Sequence, residues 1–311
     1  MKNFYKNLKL NNRNLFFLFL LLIGLAGVPG KSFAQLNPLG QMYFQNQYLA
    51  NPAMAGLNRG VQLNVAYRQQ WSSMPDAPME QSFTAQYGFA SKIGLGINVL
   101  NDQASMLRRT KALGSIAYHL PLGANGQSIS LGLSGGVTDE SINLDNSEDL
   151  NDVSVVKFND RGMYFDGDIG LAYIGKGLTI QGALPNIRSF RKVYTTENLI
   201  NRPTFFSAIS YKTKINLSSD VNPLGIEPKL VYRGIDGFKD LIDVGANFTL
   251  MEEKIQVLTM YHSTQNFTLG LGFKIKSLGI NAMHTTKSYD LKEYQTSNFE
   301  VGLQYSFWNN I

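Results

Sequence analysis

Residues 299–307 alternate strictly, with a large apolar side chain at every odd position and a polar residue or glycine at every even one. Successive side chains of a β-strand point to opposite faces, so this pattern predicts a strand with one apolar and one polar face. The same alternation runs through residues 242–250 and 267–276. Several strands of roughly ten residues with this pattern favour a transmembrane β-barrel, because only a closed sheet satisfies every backbone polar group in lipid.

Comparable strand patterns recur along the chain from residue 60 onward, and we count about 14 of them. The predicted strands are 60–69, 80–90, 92–101, 110–120, 127–137, 162–174, 177–184, 203–211, 226–233, 240–250, 254–262, 266–275, 278–286 and 297–307. We therefore predict an all-β fold, a transmembrane antiparallel β-barrel of about 14 strands with a short N-terminal arm. The last strand is expected to close the barrel against residues 60–69.

The predicted connections differ in length between the two ends of the barrel. Short connections fall at 90–92, 121–126, 175–176, 251–253 and 276–277, and long ones at 70–79, 138–161, 185–202 and 287–296. Outer-membrane barrels have short periplasmic turns and longer outer loops, which places the N-terminal arm on the periplasmic side. The connection at 212–225 is longer than this assignment predicts, and a strand within it would make the count odd.

The N-terminus has the three parts of a secretory signal peptide. A basic stretch from Lys2 to Arg13 precedes an apolar core, Leu15 to Ala26, and Ser32-Phe33-Ala34 has the small-x-small pattern of a cleavage site. We predict a signal peptide at 1–34, an N-terminal arm at 35–59 that is periplasmic or docked in the lumen, and an outer-membrane β-barrel at 60–311. A soluble β-sandwich would alternate similarly. The signal peptide and the glycine-rich strands favour the membrane.

The formal charge of +5 comes from the predicted signal peptide, which holds five Lys or Arg residues and no acid. The rest of the chain carries 23 basic and 23 acidic residues, so a nucleic-acid partner is not expected. Charged residues make up 16% of the chain, below the roughly 25% of ordinary soluble domains, as expected if a belt faces hydrocarbon. The absence of Cys excludes disulfides and thiolate chemistry.

No residue pattern predicts a catalytic or cofactor site. His119, His262 and His284 lie in no recognisable Ser or acid signature, so a hydrolase lacks support. Residues 139–160 are rich in Asp and Glu, the oxygen ligands that Ca²⁺ prefers, but their spacing matches no EF-hand loop. A solvated acidic outer loop is the commoner explanation, and the sequence leaves calcium binding open.

The arm and the first strands carry specific motifs. Gln41–Asn46, Asn51–Gly56 and Tyr67–Trp71 closely resemble the N-terminal signature of the PorP/SprF family of type IX secretion system membrane proteins, approximately Q-(Y/F)-x-x-N, N-P-A-x-A-G and Y-R-x-Q-W. The glycine-rich strand ending in Asn101–Asp102 is similar to the next family element. The family usually has a nearby glycine after this Asp, and this chain has Gln103–Ser105, which puts a loop at 102–109 in doubt.

The resemblance implies a non-enzymatic outer-membrane β-barrel that assists type IX export or surface attachment of cargo such as gliding adhesins. It implies as partners outer-membrane lipid, secreted cargo with a C-terminal sorting domain, and the periplasmic or lipoprotein ring components. It carries over no catalytic residue, metal or cofactor. The motif residues with a partner-docking or structural role are Asn46, Asn51, Pro52, Gly56, Tyr67, Arg68, Gln70, Trp71 and Asp102. We interpret Arg68 and Trp71 as a pair at the barrel rim.

The alternative function is an outer-membrane channel for small or hydrophobic solutes. The acidic residues at polar positions of predicted strands, which are expected to point into the lumen, are Asp166, Asp168, Asp243 and Glu300. In a channel, such residues would determine which solutes pass.

Overall fold

The computed structural model describes residues 41–70, 77–89, 92–123, 126–143, 153–191, 203–216, 223–286 and 298–308. The predicted signal peptide, Trp71 and residues 144–152 of the acidic segment lie outside these ranges. The division into signal peptide, arm and barrel therefore remains a prediction.

The described chain forms a closed antiparallel β-barrel of 14 strands, which confirms the predicted fold. The strands are β1 (Gly60–Gln69), β2 (Met79–Gly88), β3 (Ile93–Ala104), β4 (Leu107–Pro121), β5 (Ser128–Ile142), β6 (Tyr164–Gly175), β7 (Leu178–Leu184), β8 (Thr204–Tyr211), β9 (Thr213–Ile215), β10 (Leu224–Ile235), β11 (Leu241–Leu250), β12 (Ile255–His262), β13 (Phe267–Ile275), β14 (Leu278–Thr285) and β15 (Asn298–Phe307). The short β9 pairs with β10 in the same register as β8, so it prolongs β8 and adds no strand to the ring. The connection at 212–225 thus leaves the even count intact.

The barrel closes where the sequence predicts. β15 pairs with β1 from Val61 opposite Phe307 to Gln69 opposite Phe299. This pairing leaves neither terminal strand with a free edge, as hydrocarbon surroundings require.

The alternation in β15 separates the two faces of the wall. Leu303 is 51% exposed on the outer face, whereas Glu300 is 2% exposed on the inner face. The outer face of the other strands is similarly apolar, with Leu131, Leu171, Leu271 and Ile280 exposed. Such a belt is stable only against lipid, because water would leave a large apolar area solvated.

The hairpins β3–β4 and β4–β5 extend further than the sequence predicts. β3 continues to Ala104 and β4 begins at Leu107, joined by a turn in which Ser105 has φ +54°. The predicted loop at 102–109 is therefore mostly strand, and the predicted outer loop at 138–161 begins only after Ile142. These extensions are polar on both faces, so apolar alternation does not reveal them, but they pair through backbone and side chains such as Arg109 and Glu140.

The remaining described elements are short helices. Three 3-10 helices occupy the arm, at Met42–Phe44, Gln47–Leu49 and Pro52–Met54. A fourth lies at Ile187–Arg191, and one α-helix spans Val153–Asn159. In the part of the chain that the structure describes, no helix is long and apolar enough to cross a membrane.

We call the end of the barrel with the connections 89–92, 122–127, 176–177, 251–254 and 276–277 the turn end, and the opposite end the loop end. That the turn end faces the periplasm remains a prediction.

Candidate functional site in the barrel lumen

The described part of the arm lies inside the barrel, against the inward side chains of the wall. Tyr43 and Ala50 pack against β7, β8 and β10, through Ala183, Phe206, Ala208 and Val231. Met42 and Phe44 pack against β12 and β14, through Leu258, Met260 and Met283. Tyr48 and residues 53–55 pack against Ala117 on β4 and Ala172 on β6. The arm thus bridges opposite sides of the lumen at this level.

The local conformation of the arm follows from its Asn-Pro motif. The side chain of Asn51 accepts a hydrogen bond from the backbone N–H of Ala53 at 2.9 Å, which caps the 3-10 helix that Pro52 begins. Asn51 also donates through Nδ2 to the carbonyl oxygen of Leu171 on β6 at 3.2 Å. The motif therefore shapes the arm and attaches it to the wall.

Inward-facing glycines let the arm approach the wall closely. A Cβ added at Gly132 would overlap the backbone of Pro52 and Ala53, and one at Gly170 would overlap the side chain of Asn51. The same holds for Gly94 against the backbone of the arm. These glycines are conspicuous in the sequence, and their position opposite the arm gives them a packing role that strand periodicity alone does not reveal.

One buried carboxylate holds the start of the described arm. Glu300 on β15 accepts hydrogen bonds from the backbone N–H of Gln41 at 2.7 and 2.9 Å and from that of Met42 at 3.1 Å. Arg68 on β1 lies 3.7 Å from Glu300 and 3.4 Å from Glu80, measured from nitrogen to oxygen. The carboxyl group of Glu300 is thus both paired and hydrogen-bonded, which offsets the cost of burying it.

A second buried carboxylate, Asp243 on β11, holds the side chain of Tyr43. The hydroxyl of Tyr43 donates to Asp243 Oδ2 at 2.6 Å, and the guanidinium of Arg233 donates to the same oxygen. His262 Nδ1 lies 2.7 Å from Asp243 Oδ1, because the two residues are opposite each other on β11 and β12. Four elements of the fold thus meet at one carboxylate.

Thr268 extends this network, with its Oγ1 at 2.8 Å from His262 Nε2. The order Thr268–His262–Asp243 resembles a nucleophile, base and acid, and no sequence motif predicts this arrangement. However, Thr268 has no exposed surface and also bonds Thr285 at 2.6 Å. The arrangement therefore stabilises the anchor of the arm and offers a substrate no access to Thr268.

Further hydrogen bonds fix the middle of the arm. Asn46 donates to Thr84 Oγ1 at 2.8 Å, and the hydroxyl of Tyr48 lies 2.7 Å from Ser115 Oγ. Burial raises the pKa of Tyr48 to about 12. Lys229 donates from Nζ to the carbonyl oxygen of Phe44 at 2.9 Å and lies 4.2 Å from the centre of its ring. These contacts distribute the attachment over several strands.

The carboxylates that a channel would use for selectivity are bound within the chain. Asp168 accepts hydrogen bonds from Lys111 Nζ and from the backbone N–H of Asn186, both at 2.9 Å. Asp166 accepts from the backbone N–H of Arg188 at 3.0 Å. These bonds attach the connection after β7 to β6 at the loop end.

The motif residues of the sequence are divided between the arm and the wall. Asn46, Asn51, Pro52 and Gly56 belong to the arm, and Gly56 has φ +59°. On the wall, Arg68 points inward and is 3% exposed. Its pairing with Trp71 at the barrel rim remains a prediction.

The other wall motif residues lie around Arg68. Tyr67 is on the opposite, outward face of β1. Asp102 is on the face of β3 that Gly94 and Gly96 share, hence inward. Gln70 is buried and donates its backbone N–H to Pro78. Trp71 lies outside the described residues.

The acidic segment 139–160 is not one continuous loop. Asp139 and Glu140 belong to β5, and Glu140 lies 3.5 Å from Arg109 and accepts from the hydroxyl of Tyr164 at 3.0 Å. Residues 144–152 lie outside the described ranges. Among the residues that are described, no group of three or more His, Asp or Glu side chains is placed to hold a metal ion.

Comparison with solved structures finds other outer-membrane barrels of low identity. One is Omp33 of Acinetobacter baumannii, with 8% identity, 81% of this chain and 100% of that chain covered, and a TM-score of 0.48. Another is the CymD monoaromatic hydrocarbon channel, with 11% identity, 90% of this chain and 95% of that chain covered, and a TM-score of 0.48. The toluene transporter TodX of P. putida also matches, with 9% identity, 83% of this chain and 93% of that chain covered, and a TM-score of 0.45. Similarities at this level carry no argument about the function of this chain. A search of curated protein sequences found no match.

A family model gives the specific result. The model described as "Type IX secretion system membrane protein PorP/SprF" matches residues 32–305, which include the arm and the strands β1 to β14. The motifs of the arm, which the structure places in the lumen, fall within this match. This chain therefore belongs to the PorP/SprF family of type IX secretion system membrane proteins.

Proposed function

We propose that this protein is a non-enzymatic outer-membrane component of the type IX secretion system that assists export or surface attachment of cargo proteins such as gliding adhesins. The observation that carries the proposal is the occupation of the lumen by the family's signature segment. An arm packed inside the lumen obstructs a barrel that conducts solutes, whereas it is compatible with a barrel that interacts with other proteins.

The lumen chemistry supports this choice over a solute channel. A selective pore needs charged or polar groups that face a continuous water-filled path. In this barrel Glu300 and Asp243 bind the arm, and Asp166 and Asp168 bind the connection after β7. Four inward carboxylates are thus engaged within the chain.

Co-purification from the native envelope tests the proposal. A tagged copy of the full chain is extracted in mild detergent, and the bound proteins are identified by mass spectrometry. We expect ring components of the secretion machinery, or cargo with a C-terminal sorting domain, at levels above those recovered with an unrelated tagged outer-membrane barrel. Recovery of neither class would contradict the proposed function.

A second experiment assigns the role of the arm. Deletion of residues 35–59 is expected to abolish surface display of cargo while leaving a folded barrel, which heat-dependent gel mobility can verify. Normal cargo display by the folded, truncated barrel would show that the arm is not required.

A further inference from the structure

Three lysines at the turn end face the mouth of the lumen. Lys214 on β9 lies opposite Gly225 on β10, whose strand points Lys229 and Val231 inward. Lys212, two residues before Lys214, points to the same face of the wall. Lys274 on β13 follows the buried series of Thr268, Gly270 and Gly272 and lies opposite Gly279. We call Lys212, Lys214 and Lys274 the mouth lysines, and all three are exposed.

One acidic residue lies among the mouth lysines. Lys212 Nζ is 2.7 Å from Glu253 Oε1, and Lys214 and Lys274 also interact electrostatically with this carboxylate. The nearby Glu227 lies 3.7 Å from the buried Lys229. Three positive charges around one negative charge leave an excess of positive charge at the mouth, within the described residues.

A polar cavity adjoins one of the mouth lysines, Lys274. It has a volume of about 130 Å³ and lies between the arm and the wall. Lys274 lines it together with Glu227 and with amide side chains of the arm and wall, including Gln45, Asn281 and Gln304. Amide groups both donate and accept hydrogen bonds, so this lining suits the backbone or a polar side chain of a peptide. The arm forms part of the cavity, so an occupant would contact the arm directly.

We propose that the mouth lysines and the adjoining cavity form a docking surface for an acidic segment of a partner protein. The inference rests on the proposed function, since it assumes that the barrel works through protein partners. Carboxylates of the segment would pair with the lysines, and an adjacent residue would enter the cavity beside Gln45.

The orientation of the strand favours a polypeptide over lipid headgroups. Phe273 and Ile275, the neighbours of Lys274 on β13, are 53% and 71% exposed on the outer face, where lipid lies. Lys274 points to the opposite face, toward the cavity. A headgroup phosphate would meet outward-facing cations, whereas a segment approaching along the barrel axis meets the mouth lysines.

A binding assay with defined probes tests the proposal. The full protein is placed in phosphatidylcholine nanodiscs, and a fluorescein-labelled peptide of Asp, Glu and Ser is titrated by fluorescence anisotropy. The same peptide with Asn and Gln in place of the acids is the neutral probe. We expect preferential binding of the acidic peptide, and about tenfold weaker binding by the triple variant Lys212→Gln, Lys214→Gln, Lys274→Gln, as partly exposed ion pairs contribute modestly.

The matched control is Lys92→Gln, Lys176→Gln, Lys276→Gln, which removes the same charge from turns at the same end. It is expected to change binding less than about twofold, because these lysines lie in turns outside the cavity. A Lys→Arg triple at the mouth should retain binding, which separates charge from a folding defect. Equal loss in both Gln triples, or equal binding of the acidic and neutral peptides, would overturn the proposal.

Two further outcomes separate the remaining explanations. If the mouth triple instead loses binding to phosphatidylglycerol in mixed nanodiscs, the surface is a lipid site and the proposal is wrong. If acidic peptide binds as expected but envelope co-purification recovers no secretion component, the docking surface stands and the proposed function fails.

Discussion

The carboxylate of Glu300 accepts hydrogen bonds from the backbone N–H of Gln41, 259 residues away in the sequence. The contact joins the first described residue of the arm to the strand that closes the barrel. The backbone of Gln41 would present these donors whatever its side chain, so the specificity of the contact resides in Glu300.

Replacing Glu300 with Gln is expected to loosen the start of the arm. The change removes charge-assisted bonds and leaves Arg68 with one carboxylate fewer, a loss of about 3 kcal/mol for a buried group. Amide hydrogen exchange of residues 41–46 should therefore accelerate by about 100-fold. Glu252→Gln, in an exposed turn, removes the same charge and should leave the exchange unaltered; similar acceleration in both variants would disprove the assigned role of Glu300.

Tyr43 and Asp243 should be energetically coupled. Tyr43→Phe removes one hydrogen bond, at a cost of about 1 kcal/mol, whereas Asp243→Asn also leaves Arg233 without its carboxylate and should cost about 3 kcal/mol or more. A double-mutant cycle on arm exchange rates should give a coupling free energy of about 1 kcal/mol. Additive effects of the two substitutions would mean that the observed hydrogen bond does not hold the arm.

Adding one methyl group at Gly132 should displace the arm. Its Cβ would overlap the backbone of Pro52 and Ala53, and overpacking of this kind costs about 2 kcal/mol. Gly135→Ala, on the same strand, meets nothing within 4 Å and is the matched control. We expect residues 51–55 to become sensitive to protease in the first variant alone, with heat-dependent gel mobility showing that both barrels fold.

Conductance should depend on the arm. In planar bilayers the full chain is expected to show little steady current, since the arm and the connection after β7 occupy the lumen. Deleting residues 41–56 removes the larger obstacle and should produce stable open channels. A large steady conductance in the full chain, altered by Asp166→Asn or Glu300→Gln, would favour the solute-channel alternative.

Tyr48 makes docking of the arm sensitive to high pH. Burial raises its pKa to about 12, above the ordinary value of 10.0, so the docked arm favours the neutral phenol. Its contribution is complete below pH 10 and is lost as the pH rises toward about 12. Ultraviolet titration should show one fewer late-ionising phenol in Tyr48→Phe. An unchanged titration curve would contradict the burial of this hydroxyl.

The barrel itself could be predicted from the sequence, because contact with lipid requires apolar side chains on the outer face. Each outward position of β15 must be apolar, so the period of two is visible in residues 299–307 and gives the strand, its faces and its pairing with β1. Where a strand leaves the lipid, as β4 does near Arg108 and Arg109, that constraint ends. The strand boundaries that we predicted there were wrong by several residues.

The contacts inside the lumen could be predicted from the sequence to a much smaller extent. Asp243, Arg233, His262 and Tyr43 come from separate parts of the chain, and only the strand register brings them to one carboxylate. A polar residue on an inward position is equally compatible with water, a solute or a plug, so the alternation of β11 cannot choose among them. The resemblance of the arm to a known family predicted the family, whereas the contacts of the arm with the inner wall could be found only in the structure.

The pairing of β15 with β1 also fixes an order of events during assembly. Glu300 and Gly302 belong to β15, whereas the arm that contacts them precedes β1 in the chain. The arm therefore cannot complete its attachment until the ring has closed. The contacts of Gln41 and Met42 with Glu300 thus report that the barrel is whole, and an assembly intermediate lacking β15 would leave this end of the arm unattached.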